Sequence, residues 1–164
     1  MAMLKIGIGY DSHTFVEGIP LVLGGVQIEH PMGLKGHSDG DVIIHAIIDA
    51  IVSPTLNKSI GDLFPNTDIK YKGISSLLLL EETYKLITRA FFKIVNIDVT
   101  FIAEEPIIMS YTLKMRDIIA HSLNLDSSNI SIKGKSNEKM GFIGRHEGAV
   151  AMAVALLYSD KHIA

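Results

Sequence analysis

Three side chains in the first third of the chain are of the types that bind a catalytic metal ion. Asp11 and His13 are two positions apart at the end of an apolar run that predicts a strand, so both point to the same face. His45 lies in a strongly apolar segment with helical spacing. Two imidazoles and one carboxylate, with a fourth position open, suit a catalytic Zn²⁺ ion. These residue types predict a zinc site at Asp11, His13 and His45.

His45 has one carboxylate a helical turn before it and another a turn after it. These are Asp41 and Asp49, at positions i−4 and i+4 on the same helix face. Either carboxylate can accept a hydrogen bond from the second ring nitrogen of His45 and fix the tautomer that binds metal. Two simpler interpretations stay open at this point: His45 as a buried core residue, and Asp41 as an acid that complements the helix dipole.

A second candidate site follows a predicted strand near the end of the chain. Ser136, Asn137 and Glu138 stand in a row, and glycines 141 and 144 come soon after them. Backbone N–H groups in such a turn, together with the Ser136 hydroxyl, suit phosphate oxygens. Glu138 offers the hard oxygen ligands that Mg²⁺ takes when it bridges two phosphates. The alternative interpretation is a solvated polar turn.

The composition is that of a globular protein and bounds its function. The 164 residues predict one domain, 1–164, with a core of its own. A net charge of −3, without a stripe of Lys or Arg, gives no reason to expect a nucleic-acid partner. The chain has no cysteine, which excludes disulfides and thiolate ligands. Without a signal pattern or an apolar run long enough for a bilayer, we expect a cytoplasmic protein with no membrane partner.

Strand-like and helix-like segments alternate and must position the candidate residues. This alternation predicts an α/β (α+β) fold in which helices cover one face of a small mixed sheet. Gly24 and Gly25, between two short apolar runs, predict a hairpin. The last expected helix is rich in alanine, which allows tight packing on the sheet. Strands are expected at 4–10, 21–23, 26–28, 97–103 and 129–133; helices at 41–52 (ended by Pro54), 76–92, 110–123 and 148–159; loops at 33–40 and 57–72; and His162 in an exposed tail.

Motifs in a fixed order cover nearly the whole chain. They read Gly-Tyr-Asp-Ser-His, Gly-His-Ser-Asp-Gly-Asp-Val-x-x-His-Ala-x-x-Asp-Ala, Ile-Gly-Asp-Leu-Phe-Pro-Asn-Thr-Asp and Ser-Asn-Glu-Lys-Met-Gly-Phe-Ile-Gly-Arg. With these motifs the chain resembles the 2-C-methyl-D-erythritol 2,4-cyclodiphosphate synthase family, the cyclases of the non-mevalonate isoprenoid pathway. The block that joins His-Ser-Asp-Gly-Asp to the helical histidine is highly specific.

The resemblance implies a metal-dependent phosphorus-oxygen lyase that works as a homotrimer with active sites between subunits. Its reaction converts 4-diphosphocytidyl-2-C-methyl-D-erythritol 2-phosphate into 2-C-methyl-D-erythritol 2,4-cyclodiphosphate and CMP. The implied cofactors are Zn²⁺ on the Asp/His/His set and Mg²⁺ or Mn²⁺, carried by Glu138, on the substrate phosphates. The resemblance assigns transition-state stabilisation to His37 and Ser136, and closure over the reacting groups to the loop of His37 and Ser38.

The same resemblance implies where the substrate and a further ligand bind. Residues 59–61 and 64–68 match the segments that hold the methylerythritol part, and 103–109 with 134–136 match the cytidine pocket. The implied substrate-binding residues are Ser38, Ser59, Ile60, Gly61, Phe64, Pro65, Asn66, Thr67, Asp68, Ala103, Pro106, Ile107, Ile108, Met109, Gly134, Lys135 and Asn137. Phe142, Arg145 and Glu147 match the lining of a central trimer cavity that takes a prenyl diphosphate.

Departures from the family pattern occur at substrate-binding positions. Ser59 stands where the family commonly has an aspartate, and Ile107 where a lysine is common. Lys135 stands where a small hydroxyl residue is common, and it can supply a cation near the phosphates. None of these departures touches the metal ligands.

Two other functions use the same residues. The first is a zinc-dependent phosphoester hydrolase in which an activated water attacks the phosphorus. Only the turn that begins at Ser136, which suits phosphate oxygens, argues against it. The second is a non-enzymatic trimeric module with structural zinc and an isoprenoid diphosphate in its cavity. The serine at position 59 favours the second alternative, and a closed set of four protein ligands would support it.

Overall fold

The computed structural model describes residues 3–159, so His162 and both ends of the expected domain lie outside it. Its main feature is a mixed five-stranded sheet in the order β4-β1-β7-β5-β6. All pairs in it are antiparallel except β5 with β6, and β2 and β3 form a separate hairpin. The strands are β1 Met3–Glu17, β2 Leu21–Leu23, β3 Val26–Ile28, β4 Met32–Leu34, β5 Phe92–Ile102, β6 Ile130–Lys135 and β7 Gly148–Ser159.

Three longer helices and two single-turn helices complete the fold. This confirms the expected small α+β fold with a mixed sheet and the hairpin at Gly24-Gly25, whose strands pair as predicted. The region 57–72, expected to be irregular, holds α2 and a 3₁₀ turn at Ile69–Tyr71. The helices are α1 Val42–Leu56, α2 Ile60–Leu63, α3 Ser76–Arg89, α4 Thr112–Ser122 and α5 Gly141–Gly144.

Helix α1 lies directly against strand β1 because two glycines of the strand leave no side chain between them. A Cβ on Gly7 would lie 1.8 Å from the carbonyl oxygen of Ala50, and one on Gly9 would lie 1.8 Å from that of Ala46. No side chain fits such a gap. The backbone of α1 is therefore held at a fixed height above the strand that carries the first two metal candidates.

Helix α1 does not end at Pro54, as the sequence predicted, but continues through it to Leu56. Proline removes the N–H that would bond to the carbonyl of Ala50 one turn earlier. That carbonyl is the one packed against Gly7. Thr55 Oγ1 donates to the Ile51 carbonyl at 2.6 Å, and Asn57 closes the helix with a left-handed φ of 54°.

The segment 148–159 is strand β7, and the prediction of a helix there was wrong. Its alanines at 149, 151, 153 and 155 repeat every second residue and are all buried. Period two is the spacing of a strand face, and the alternate positions Met152 and Val154 are exposed. Burial between β1 and β5 overrides the helix preference of alanine. The small side chains leave room for α1 on this face, rather than letting a terminal helix pack on the sheet as was expected.

The face of the sheet away from α1 is apolar and open over strands β1 and β7. On β1, Leu4, Ile6, Ile8 and Tyr10 are 66%, 70%, 66% and 55% exposed. Toward β5 and β6 this face becomes polar. Among residues 3–159, no helix combines the length and apolarity needed to cross a bilayer.

Candidate active site

Donor atoms of Asp11, His13 and His45 converge at the junction of β1 and α1. His45 Nδ1 lies 2.8 Å from Asp11 Oδ2 and 3.0 Å from His13 Nε2, and that His13 nitrogen lies 3.2 Å from the same carboxylate oxygen. Ligands about 2.0–2.1 Å from a tetrahedral Zn²⁺ are roughly 3.3 Å apart. The three donors therefore form a set of about the size that this ion requires.

The chemistry of these donors calls for a cation between them. Each of the three atoms can offer a lone pair, and the atoms lie within 4.8 Å of one another in a partly buried space. A single proton can serve only one of the close pairs, whereas a divalent ion accepts all three donors at once. The residues present thus fit a metal ion, with an open side toward the adjoining cavity.

The surroundings shift the pKa values of His13 and His45 in opposite directions. Burial lowers the pKa of His13, and the nearby Asp11 carboxylate offsets only part of this effect. Burial also acts to lower the pKa of His45, but the hydrogen bond and charge of Asp11 outweigh it, so the pKa of His45 is raised. Protons therefore compete with a metal ion mainly at His45.

The second ring nitrogen of His45 does not meet the carboxylates that the sequence suggested. Its Nε2 lies 2.9 Å from the hydroxyl oxygens of both Ser38 and Ser76. Ser76, the first residue of α3, is fully buried. Its hydroxyl donates to Asp39, and its N–H donates to the other oxygen of that carboxylate at 2.9 Å. The sequence analysis missed Asp39 and Ser76.

Asp41 and Asp49 instead hold backbone groups. Asp41 is the N-cap of α1: it accepts from Ile44 N–H at 3.1 Å and from the N–H groups of Gly24 and Gly25 at 2.9 and 2.6 Å. Asp49 accepts from the N–H of Ile60 at 2.6 Å. The expectation that either carboxylate orients the His45 ring was wrong, because their oxygens bind backbone N–H groups of α1, the β2–β3 turn and α2 instead.

Asp41 is completely buried. Desolvation raises its pKa to about 6, although its three backbone N–H partners act in the opposite direction. Its carboxylate ties the start of α1 to the tight turn of the β2–β3 hairpin. Asp41 therefore supports the metal centre by fixing the end of the helix that carries His45.

A cavity of about 450 Å³ opens beside the three donors. Its lining includes most of the residues that the sequence assigned to the reacting groups and the methylerythritol part. His37 Nε2 lies 3.4 Å from the carbonyl oxygen of Asp68 at its rim. Tyr71 and Leu79 also line it, and sequence reasoning had no signal for either. The predicted residues in the lining are Asp11, His13, His37, Ser38, His45, Ile60, Gly61, Phe64, Pro65, Asn66 and Thr67.

Ser59 and Asp68 contact other groups. Ser59 is the N-cap of α2 in a capping box with Asp62: its hydroxyl and N–H donate to the Asp62 carboxylate at 2.8 and 2.7 Å. It lines a separate hollow with Asp49 and Asn57. Asp68 caps the following 3₁₀ turn through the N–H of Lys70 at 3.1 Å. The hydroxyl at position 59 is thus already bonded within the chain.

A second cavity, of about 260 Å³, lies between the end of β5 and the end of β6. Ile107 and Met109 in it are each 80% exposed, so its mouth is open. Among the residues that the structure describes, none lines both this cavity and the one beside Asp11, His13 and His45. The predicted residues that line it are Ala103, Pro106, Ile107, Ile108, Met109, Gly134, Lys135 and Ser136.

The turn after β6 binds a carboxylate of its own chain. The N–H groups of Asn137 and Lys139 donate to Glu104 Oε1 at 3.0 and 3.1 Å. Backbone N–H groups of this turn were expected to bind phosphate oxygens, and here two of them bind a carboxylate oxygen instead. The sequence analysis missed Glu104. Ser136 Oγ donates to Glu138 Oε1 at 2.7 Å, and Glu138 has a left-handed φ of 51°. Glu138 is exposed and is not part of the described Asp/His/His cluster.

Phe142 and Glu147 lie at a further hollow, of about 430 Å³, with Ser12, His13 and Thr14 of β1. Arg145 is paired with Glu147 at 2.7 Å, and its guanidinium lowers the pKa of that carboxyl. The three residues predicted to line a trimer cavity thus lie near one end of β1. His13 borders both this hollow and the cavity of about 450 Å³ beside the three donors.

Known proteins match the chain over nearly its whole length. The model of the YgbB family matches residues 4–158. A 2-C-methyl-D-erythritol 2,4-cyclodiphosphate synthase of Caldicellulosiruptor bescii is 52% identical over 94% of this chain and 99% of its own. The bifunctional IspDF of Campylobacter jejuni is 40% identical with a TM-score of 0.93, over 97% of this chain but 43% of that one. A CDP complex of IspF from Plasmodium falciparum is 35% identical with a TM-score of 0.84, over 96% and 97%.

Proposed function

The chain belongs to the YgbB family, and we propose that it is a 2-C-methyl-D-erythritol 2,4-cyclodiphosphate synthase. The observation that carries the proposal is the convergence of Asp11, His13 and His45 at the edge of a cavity lined by motif residues. Curated relatives at about half identity bear this enzyme name over nearly their full length. Such relatives support an enzyme of isoprenoid biosynthesis rather than a binding module.

The proposed reaction is an intramolecular phosphoryl transfer. An oxygen of the substrate's 2-phosphate bonds to the β-phosphorus of the cytidine diphosphate, and the bond from that phosphorus to the bridging oxygen breaks. CMP leaves with the electron pair, and no water is consumed. Both reacting groups are anionic, so the main requirements are charge neutralisation and an in-line geometry. A protein nucleophile is not required.

Asp11, His13 and His45 would hold a divalent ion, for which we propose Zn²⁺, and Glu138 would hold Mg²⁺ or Mn²⁺. Bound there, the ions supply positive charge that neutralises and orients the phosphates. His37 and Ser38 lie in the same cavity lining as the donors, which supports a role beside the reacting phosphates. Ser136 lines the second cavity and is bonded to Glu138, which supports a shared role at a phosphate.

We propose that the cavity at residues 103–136 takes the cytidine nucleotide. The CDP complex of the Plasmodium falciparum relative supports a cytidine ligand. A side chain at Gly134 would crowd this cavity, since its Cβ would lie 3.2 Å from Ile108 Cγ1. The exposed Ile107 has no ammonium to offer, so recognition of the base would depend on backbone groups. With its hydroxyl bonded to Asp62, Ser59 is left as a helix cap, and the polyol would be held by the neighbouring residues Ile60 and Gly61.

The active form is proposed to be a homotrimer with sites between subunits. Two observations support this. The open sheet face over β1 and β7 is apolar, and such faces mark protein–protein contacts. The cavity beside Asp11, His13 and His45 is separate, within one chain, from the cavity at residues 103–136. In a trimer, the second cavity of a neighbouring subunit would lie beside the first. The prenyl diphosphate at Phe142, Arg145 and Glu147, and the cytoplasmic location, stay predictions.

The test is a reaction of the purified, zinc-loaded protein with the cytidyl substrate and added Mg²⁺. We expect CMP by chromatography and a cyclic diphosphate by ³¹P NMR in equal amounts. A chelator-treated sample is the control and should release neither product. Folded, metal-loaded protein that releases no CMP would contradict the proposal.

A further inference from the structure

A hydrogen-bonded chain of three side chains lies behind the metal donors. It runs from His45 through Ser76 to Asp39 and joins helix α1, helix α3 and the loop between β4 and α1. His45 and Ser76 are buried and Asp39 is half-buried. Residues 31 positions apart thus meet in the interior, on the side of the imidazole that faces away from Asp11 and His13.

The direction of each hydrogen bond in this chain follows from the partners. The Asp39 carboxylate only accepts, so the Ser76 hydroxyl must donate its one proton to it. The Ser76 oxygen is then left with lone pairs toward His45 Nε2, at 2.9 Å. A lone pair there is satisfied when Nε2 carries a proton. Neutral His45 is thereby held with Nδ1 free of a proton, and Nδ1 is the nitrogen that faces the other two donors.

Asp39 is held in place for this task by backbone groups. Its second oxygen accepts from the N–H of Ser76 at 2.9 Å, and its first also accepts from the N–H of Asp41 at 3.3 Å. Ser75, the N-cap of α3, makes no side-chain cap hydrogen bond. Asp39 therefore takes over the capping of α3 from outside the helix, which fixes the carboxylate and the serine together.

Ser38 is the other hydroxyl within reach of His45 Nε2, at 2.9 Å. It lies on the loop, and its oxygen is 3.3 Å from that of Ser76, to which its proton can be donated. No acceptor comparable to Asp39 fixes its direction among the contacts described. Ser76, anchored on a helix and buried, is the partner that determines the tautomer.

We infer that Ser76 and Asp39 are positioning residues that hold the His45 ring in the orientation and tautomer in which Nδ1 binds metal. The inference rests on the metal centre proposed above and adds the groups that prepare it. Partners of this kind behind a metal-binding histidine typically change metal affinity about 10-fold to 100-fold when removed.

The experiment measures zinc affinity by chelator competition in wild type and four variants. Ser76→Ala and Asp39→Asn should each weaken zinc binding about 10-fold or more. Ser76→Thr keeps the hydroxyl and should stay within about threefold of wild type. Ser75→Ala is the matched control, because it removes a neighbouring hydroxyl that makes no cap bond. Circular dichroism selects the samples that are folded.

A second readout separates positioning from loss of helix stability. In ¹⁵N-labelled, zinc-loaded wild type, NMR should show His45 with a proton on Nε2 and metal on Nδ1. Ser76→Ala should broaden or shift the Nε2 signal. Zinc affinity within twofold of wild type in Ser76→Ala, or an equal loss in Ser75→Ala, overturns the inference. Neither readout uses turnover, so a wild type that binds zinc but releases no CMP would contradict the proposed function alone.

Discussion

Gly9 of strand β1 lies beneath the carbonyl oxygen of Ala46, so close that a Cβ on the glycine would be 1.8 Å from that oxygen. Ala46 follows His45, and Gly9 precedes Asp11 by two residues and His13 by four. The approach of the two backbones thus sets the distance between the imidazole of α1 and the donors of β1. The glycine in the strand and the alanine in the helix together set the spacing of the three donor groups.

Gly9→Ala should therefore weaken both the fold and the metal site. The added methyl group would clash with the backbone of Ala46 and Ala50, which cannot change rotamer as a side chain can. We therefore expect a loss of at least about 2 kcal/mol in the free energy of unfolding. Zinc affinity should fall with it, since α1 must move outward. Gly18→Ala is the control: its Cβ would meet nothing within 4 Å, and only its φ of +81° carries strain. Urea unfolding and chelator competition measure both effects; equal zinc affinity in Gly9→Ala would contradict this account.

Part of the site was predictable because it depends on local periodicity. Strand alternation places Asp11 and His13 on one face, and the apolar helix pattern turns His45 inward. The orientation of His45 was not predictable, because Ser76 is 31 residues away and meets it only through tertiary packing. The alanines of β7 were misread because their neighbours are also apolar. The outward-facing Met152 and Val154 are exposed but apolar, so the segment lacks the alternation of polar and apolar residues that distinguishes a strand from a helix.

His45→Ala should remove the bound metal while leaving the fold in place. Two remaining donors, Asp11 and His13, are too few for tight zinc binding, so we expect less than one tenth of the wild-type metal content after dialysis. His30→Ala is the matched control, because His30 bonds to the Met32 carbonyl away from the metal donors. Elemental analysis gives metal content, and circular dichroism with native mass spectrometry gives fold and assembly. Full zinc content in His45→Ala would remove this residue from the ligand set.

Asp41 should make the metal-free protein more stable as the pH falls from 7 to 5. Burial raises the pKa of Asp41 to about 6 from an ordinary 3.8, so the folded state takes up the proton before the unfolded state does. Proton uptake by the folded state then adds about 1 kcal/mol across this range. The measurement is the free energy of unfolding of wild type minus that of Asp41→Asn, both chelator-treated, at each pH. Because other titrating groups are common to both proteins, a difference that stays level or falls would contradict a folded-state pKa of about 6 for Asp41.

Solvent oxygen should not enter the products of the reaction. Cyclisation joins two phosphates of the substrate, whereas a zinc hydrolase would add an oxygen from an activated water. In H₂¹⁸O we expect unlabelled CMP and unlabelled cyclic diphosphate by mass spectrometry. An incubation without protein corrects for slow exchange. One ¹⁸O atom per turnover in either product would favour the hydrolase.

Ile8→Glu should break the proposed trimer. Ile8 is 66% exposed at the middle of the apolar face and pairs in register with Val154, which is 45% exposed. A carboxylate buried against apolar side chains of a neighbouring subunit has no partner, and its desolvation outweighs the contact. Leu78→Glu is the matched control, since Leu78 is 54% exposed on α3, away from this sheet face. Light scattering should give the mass of one chain for Ile8→Glu and of three for Leu78→Glu. Because the two cavities lie apart in one subunit, turnover should fall with assembly while zinc content stays; an active monomer would contradict a site shared between subunits.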